Sequence, residues 1–276
     1  FEWGFCLVED ALSADQVRQT RARLVEQAAA EREAGIDYPG GSFQLICSLI
    51  NKGEIFPKFL EHDPEVVQGG PVIERLLDET LRKGWCVFSF TANISYPGCM
   101  PMGLHQDQGA INPFQTPEAP VDVTTMYILE DVDERNGTLI VPTSHKLIPA
   151  VGSGNKVGKL PPTIHVEAPA GTVLLFDGRL LHGTSINRGD DWRYVMVQPS
   201  MKPWVRSQAS MSKSGGASAP FGHSTREFVR NHLSSSSSSI APFVQGWSFR
   251  LRAARKAAAR LASSALSAGA GRFVPE

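Results

Sequence analysis

The 276-residue chain has few of the features that sort a protein quickly into a class. Its four cysteines, Cys6, Cys47, Cys86 and Cys99, include no Cys-x-x-Cys pair. In a chain of this length that scatter argues against a disulfide framework and against structural zinc, and it predicts reduced thiols in a cytoplasmic protein. No uninterrupted run of about 18 apolar residues occurs, so a membrane-spanning helix is not expected. Neither sign of charge is in excess: 27 Lys and Arg face 28 Asp and Glu. A net charge of -1 gives no electrostatic case for nucleic acid or an acidic membrane as partner. Phe1-Glu2-Trp3 carries no secretory-signal pattern, and no internal repeat is apparent. What is present is an ordinary soluble balance, 42% hydrophobic and 20% charged, and one large domain is the leading expectation. The oligomeric state is not legible.

The chain opens helical. Ser13 is placed to cap Ala14 to Glu33, where Val17, Leu24 and Ala28 recur at helical spacing. A second helix is expected from Pro71 to Lys83, with Ile73, Leu76, Leu77 and Leu81 as its apolar stripe. From Trp85 the texture changes to short strand-like runs bounded by turn residues: Cys86 to Tyr96, Val121 to Leu129, Thr138 to Val141 after the Asn136-Gly137 turn, Thr172 to Phe176, and Trp192 to Gln198. That order predicts a mainly β fold, a sandwich or barrel with the early helices packed outside it. Residues 1–206 are expected to form this domain. Residues 207–239, rich in Ser and Gly and including the tract Ser234 to Ser239, read as a flexible loop or lid. Residues 240–276 read as a basic helical segment, with Arg250, Arg252, Arg255, Lys256 and Arg260 between Phe249 and Leu266.

Two distant segments carry the chemistry. His105-Gln106-Asp107 sets an imidazole and a carboxylate two residues apart, and His182 supplies a second imidazole. Residues i and i+2 of a strand share a face, so His105 and Asp107 can reach one metal if the segment is extended. His182 is expected to arrive from the strand begun by Thr172 to Phe176. Two imidazoles and one carboxylate with open positions suit Fe(II). A turn at Asn187-Arg188-Gly189-Asp190 would return Arg193 toward that metal, where a guanidinium can hold a carboxylate bidentately. An Fe(II) enzyme that uses 2-oxoglutarate needs such a cation. His145 is read as structural and His165 as an exposed loop residue.

These segments resemble those of a known family. Pro101-Met102-Gly103-Leu104-His105-Gln106-Asp107-Gln108 is similar to the iron-binding strand of the phytanoyl-CoA dioxygenase family. Asn136-Gly137-Thr138 through Pro142-Thr143-Ser144-His145 resembles its Asn-Gly…Pro-Gly-Ser-His stretch, and Gly171 through Gly183 its distal-histidine strand, with Asn187 and Arg193 following at the family spacing. The resemblance covers roughly residues 5–199. It implies a double-stranded β-helix (a jelly roll, cupin-like), with Fe(II) as cofactor and 2-oxoglutarate and O2 as co-substrates. Carried over by position, His105, Asp107 and His182 match the iron ligands and Arg193 the 2-oxoglutarate anchor. Thr138 matches a position that helps hold 2-oxoglutarate. Two positions depart from the pattern. Thr143 stands where the family has Gly. Met102 stands where some members place a Gln that touches 2-oxoglutarate, and Asn93 on the preceding strand is the expected substitute.

The resemblance implies oxidation of an aliphatic carbon, hydroxylation foremost, coupled to conversion of 2-oxoglutarate to succinate and CO2. Asp107 argues against halogenation, because halogenating relatives carry a small residue there. The substrate is expected to be a small or medium, largely apolar metabolite. Gln108, Ile111 and Phe114 follow the metal segment and are the expected substrate wall. Trp204, Phe221 and the loop Ser207 to Ser218 are candidates for a lid. Two other readings stand beside this one: a jelly-roll isomerase or hydrolase with the same ligands and no 2-oxoglutarate, and a binding protein with a vestigial metal site. Arg193 tells against the first and the intact ligand set against the second.

Overall fold

Side-chain alternation along a few strands decides which surfaces meet. In the computed structural model, residues 2–36, 38–39, 43–110, 120–147, 162–205 and 251–252 are described. The first elements are β1 (Phe5–Val8), α1 (Ala14–Glu33), β2 (Tyr38–Pro39), β3 (Gln44–Ile46), α2 (Ile55–Leu60) and α3 (Gly70–Leu81). Then come β4 (Cys86–Val87), β5 (Thr91–Ser95), β6 (Met102–His105), β7 (Asp122–Ile128), β8 (Thr138–Ile140) and the short α4 (Ser144–Leu147). The last are β9 (Ile164–His165), β10 (Val173–Asp177), β11 (His182–Thr184), β12 (Arg193–Met201) and β13 (Leu251–Arg252).

The strands form two antiparallel sheets. The large one runs β13-β1-β10-β7-β12-β5-β3-β2, with β4 also on β12, and the small one runs β6-β11-β8-β9. On β10, Val173 and Leu175 belong to the larger apolar cluster, whereas Leu174 and Phe176 belong to a second. The same alternation sends Val123 and Tyr127 of β7, and Tyr194 and Met196 of β12, to the first cluster. It sends Met126, Ile128 and Val195 to the second. The first cluster also takes in Leu24 of α1, Phe56 and Phe59 of α2, and Ile73 and Leu77 of α3, so the helices cover the outer face. Phe59 meets Tyr127 edge-on at 5.0 Å between ring centroids. The second cluster includes Ile140 of β8, so the inner face of the large sheet looks toward the small one. This is the expected double-stranded β-helix, with the N-terminal helices outside. Each fully buried Leu, Ile or Phe contributes about 1.5–3 kcal/mol of transfer free energy to this helix-sheet contact.

The capping expectation for α1 holds. Ser13 Oγ accepts from the Gln16 backbone N–H, and the Gln16 carboxamide accepts in return from the Ser13 N–H. The second helix starts one residue before Pro71 and ends at Leu81, because Arg82 takes a left-handed φ of +74°. The run Cys86 to Tyr96 is two strands, β4 and β5. β12 continues past Gln198 to Met201. Neither β1, which pairs Phe5 with Phe176, nor α2 was expected. His165 is half-buried in β9 opposite Leu139 and is not a loop residue. Where a helix was expected from Phe249, Leu251 and Arg252 pair with Val8 and Leu7. The remainder of 249–266 and the expected loop or lid 207–239, with Ser207 to Ser218, Phe221 and the Ser tract, lie outside the described residues. Among the described residues, no helix is long and apolar enough to cross a membrane.

Candidate metal centre

His105 ends β6 and His182 begins β11, and the two residues face each other across the antiparallel pair. Gly183 permits the approach: a Cβ there would lie 2.7 Å from the Met102 carbonyl oxygen. Asp107 is not on the strand. It opens a 3-10 turn, Asp107–Ala110, that the Gln108 N–H fastens to the Gly178 carbonyl at 2.9 Å. The turn returns the carboxylate to the side of His105, so the expected juxtaposition arises by a different route. His182 is likewise not on the strand of Phe176. That strand ends at Asp177, which accepts from the Leu180 and Arg179 backbone N–H groups in a tight turn, and the chain then enters the small sheet.

The donor atoms of His105, Asp107 and His182 all lie within 4.8 Å of one another. Both histidine Nε2 atoms are 3.5 Å from Asp107 Oδ1. Two donors each about 2.1 Å from one ion are about 3.0–3.5 Å apart at angles of 90–110°, so the set fits a single divalent cation. The tautomers fit as well. His105 Nδ1 lies 2.9 Å from the Gly103 carbonyl and His182 Nδ1 lies 3.0 Å from the Leu180 carbonyl. A carbonyl only accepts, so each Nδ1 carries the proton and each Nε2 presents its lone pair to the metal position. The His182 ring also packs on Phe176 at 4.5 Å.

Burial works to raise the Asp107 carboxyl, but His182, His105 and the Thr124 hydroxyl together hold it below the usual carboxylate range. Burial lowers His182 against the opposing pull of Asp107. Hydrogen bonding to Asp107 raises the more exposed His105. Thr124 and Asp122, both on the inner face of β7, were not anticipated. Thr124 donates to Asp107 Oδ2 at 2.8 Å. Asp122 is buried with neither carboxyl oxygen hydrogen-bonded, and burial beside Asp107 and Asp177 pushes it well above the carboxylate range. Polar residues in a fully buried strand need a reason to be there, but that burial is a property of the fold and not of the local sequence.

Arg193 begins β12 and shares the inward parity of Val195. It is 2% exposed, and among the described residues it has no carboxylate partner. Its Nη1 donates to the Asn136 carbonyl at 2.6 Å, its Nη2 donates to Ser95 Oγ at 3.2 Å, and its Nε has no acceptor. Burial pulls it down to about 10, with Cys99 opposing, so it remains a cation at neutral pH. An unpaired buried guanidinium is costly, and an anionic ligand resolves it. Asn93 lies across from Val195 on β5, and its Oδ1 is buried without a partner. Thr138 opens β8, and among the described residues its hydroxyl meets only the weak acceptor Met126 Sδ at 3.5 Å. All three groups line the inter-sheet face with unused hydrogen-bonding capacity.

The expected substrate wall is only partly described. The Gln108 carboxamide oxygen is buried and accepts from the Val121 N–H at 3.1 Å, which braces the turn against β7. Ile111 and Phe114 lie outside the described residues. Trp204 is 61% exposed after β12. His145 is buried in α4, with its Nδ1 lacking a hydrogen-bond partner among the described residues.

A family model described as "Phytanoyl-CoA dioxygenase (PhyH)" matches residues 2–195. A dioxygenase of Aspergillus fumigatus, af480, is 31% identical over 134 residues. That alignment takes in 46% of this chain and 42% of the relative, so the match spans under half the length of that protein. Among solved structures, the α-ketoglutarate-dependent epimerase SnoN from nogalamycin biosynthesis superposes with a TM-score of 0.58 at 19% identity, over 80% of this chain and 90% of that one. HygX from Streptomyces hygroscopicus, solved with nickel, 2-oxoglutarate and hygromycin B bound, gives a TM-score of 0.56 at 15% identity, over 78% and 92%. At these identities the structural likeness shows the fold.

Proposed function

Because the chain belongs to the phytanoyl-CoA dioxygenase family, we propose that it is an Fe(II)- and 2-oxoglutarate-dependent dioxygenase. Its reaction oxidises an aliphatic carbon of a small or medium, largely apolar metabolite, with hydroxylation the foremost outcome. His105, Asp107 and His182 hold the iron. Arg193 holds the far carboxylate of 2-oxoglutarate, with Thr138 and Asn93 as supporting hydrogen-bonding groups. Iron, 2-oxoglutarate and O2 together supply the oxidising chemistry, and 2-oxoglutarate leaves as succinate and CO2.

The protein's part is positioning. Gly103 and Leu180 carbonyls keep both imidazoles in the tautomer that presents Nε2. Arg193 offers a dry, fixed cation, and the apolar inner face around Met126, Ile128 and Phe176 excludes water from the reacting groups. The single observation that carries the reading is the buried Arg193 on the inter-sheet face, which has no carboxylate partner among the described residues. A hydrolase or isomerase using the same three ligands has no use for that cation. SnoN is an epimerase, so related folds also support outcomes other than hydroxylation.

The test is anaerobic titration of metal-free protein with Fe(II) and 2-oxoglutarate, followed by assay of succinate release in air. The expected result is the weak visible metal-to-ligand charge-transfer band, then succinate. Iron binding without that band would remove 2-oxoglutarate from the reading.

A further inference from the structure

Asp107 differs from the other two ligands in how it is held. His105 and His182 stand on paired strands and each is tied by Nδ1 to a carbonyl. Asp107 stands in a turn, and a turn by itself leaves a carboxylate free to rotate between binding through one oxygen and binding through two. Among the described residues, the one side chain besides the two histidines that reaches its oxygens is Thr124, from Oγ1 to Oδ2 at 2.8 Å. An ionised carboxylate only accepts, so the hydroxyl donates.

Thr124 is built to hold that bond in place. It sits on β7 between two partner strands, opposite Phe176 of β10 on one side and Pro199 of β12 on the other. It is 0% exposed, so water does not compete for the hydroxyl. Its β-branched side chain has little χ1 freedom. The bond engages Oδ2, while Oδ1 faces both Nε2 atoms at 3.5 Å.

Building on the proposed metal centre, we infer that Thr124 is the positioning residue that makes Asp107 a one-oxygen ligand, keeping Oδ2 off the metal and a coordination position open for the co-substrates. Thr124 acts through Asp107 and does not itself bind the metal. The anchor joins a turn-borne ligand to a central strand of the opposite sheet.

The test uses Co(II) as the probe, added anaerobically to metal-free protein and read by its visible d–d absorption. Wild type is compared with Thr124→Val, which keeps the shape and removes the hydroxyl, and with Thr124→Ser, which keeps the hydroxyl. Loss of a partner of this kind typically weakens metal binding about 10–100-fold. The expected result is that weakening in Thr124→Val, with a paler band as the second carboxylate oxygen raises the coordination number. Thr124→Ser should stay within about threefold of wild type, against the 10–100-fold loss. Wild-type Co(II) affinity and spectrum in Thr124→Val would overturn the inference, whatever the change in thermal stability, because a packing role alone leaves the metal untouched. If Thr124→Val does not fold, Thr124→Ala against Thr124→Ser makes the same comparison. Failure of the wild-type protein itself to bind Co(II) is a separate result, which overturns the metal centre and this inference with it.

Discussion

His105 and His182 face each other on antiparallel β6 and β11 with their rings 4.3 Å apart, and Asp107 completes the set from outside both strands. Three donor groups drawn together without a metal gain little from one another. The site should therefore contribute stability mainly when an ion fills it. A ligand at 100 times its Kd stabilises the folded state by about 2.7 kcal/mol. Fe(II) or Co(II) is expected to raise the thermal midpoint of the wild-type protein and to leave that of His105→Ala unchanged. Calorimetry with and without metal measures this, and equal stabilisation of the variant would place the ion elsewhere.

The turn at Thr143 gives a second prediction. Where the family has Gly, Thr143 keeps the left-handed conformation at φ +65°. The turn is held by the Thr143 N–H donating to Trp3 and the Lys146 N–H donating to Thr143. Left-handed backbone costs a non-glycine residue about 1–2 kcal/mol. Glycine returns part of that gain through its larger unfolded-state entropy, about 0.5–1 kcal/mol. Thr143→Gly is expected to stabilise the protein by about 0.5–1 kcal/mol, a rise of ~2 °C in melting temperature. A fall in melting temperature would mean that the Thr143 side chain contributes more than the strain costs.

How much was legible follows from which contacts are local. The capping box at Ser13 and Gln16 and the stripe of α1 are local, and both read correctly. The pairing of β1 with β10 joins Phe5 to Phe176, and no local pattern marks a four-residue strand with such a distant partner. The metal residues were legible as residue types at a spacing. Their geometry was not, because Asp107 reaches the site through a turn fixed by the bond from the Gln108 N–H to Gly178, a residue far along the chain. Thr124 was hidden for a related reason: its meaning depends on a register that puts one face of β7 over the candidate metal centre, and a run of Thr and Val does not reveal which face that is.

His62 supplies a pH prediction away from the metal. It lies in the α2–α3 corner, with its Nε2 buried and unpartnered and its ring edge-on to Trp85 at 5.7 Å. Burial lowers it from 6.5 to about 4, against the opposing pull of Asp78. The unfolded chain therefore binds the proton more readily. The neutral-ring stability is full above pH 6.5, declines as pH falls, and is gone below about 4. At 1.36 kcal/mol per pH unit the swing is about 3 kcal/mol. His62 has a left-handed φ of +52°, which Asn tolerates. Denaturant unfolding from pH 7 to 4 should show a shallower loss for His62→Asn than for wild type. Parallel curves would remove His62 as a source of the acid sensitivity.

Arg193 separates a functional cation from a structural one. A structural guanidinium is paired, and its removal destabilises the fold. Among the described residues Arg193 has two neutral acceptors, an idle Nε and no acid, so the folded protein bears a desolvation cost that an anion would offset. Replacing it with Met, which has a similar length and no charge, should leave the melting temperature of the ligand-free protein unchanged or raise it. The same change should weaken 2-oxoglutarate binding by about 100-fold, the scale of losing one partner of a buried charge pair. Metal affinity should hold, because Arg193 touches no ligand. Thermal melts, 2-oxoglutarate titration of the Fe(II) protein and metal analysis read the three effects separately. A large loss of stability with 2-oxoglutarate binding intact would make Arg193 a strut between Asn136 and Ser95, and the co-substrate would need another anchor.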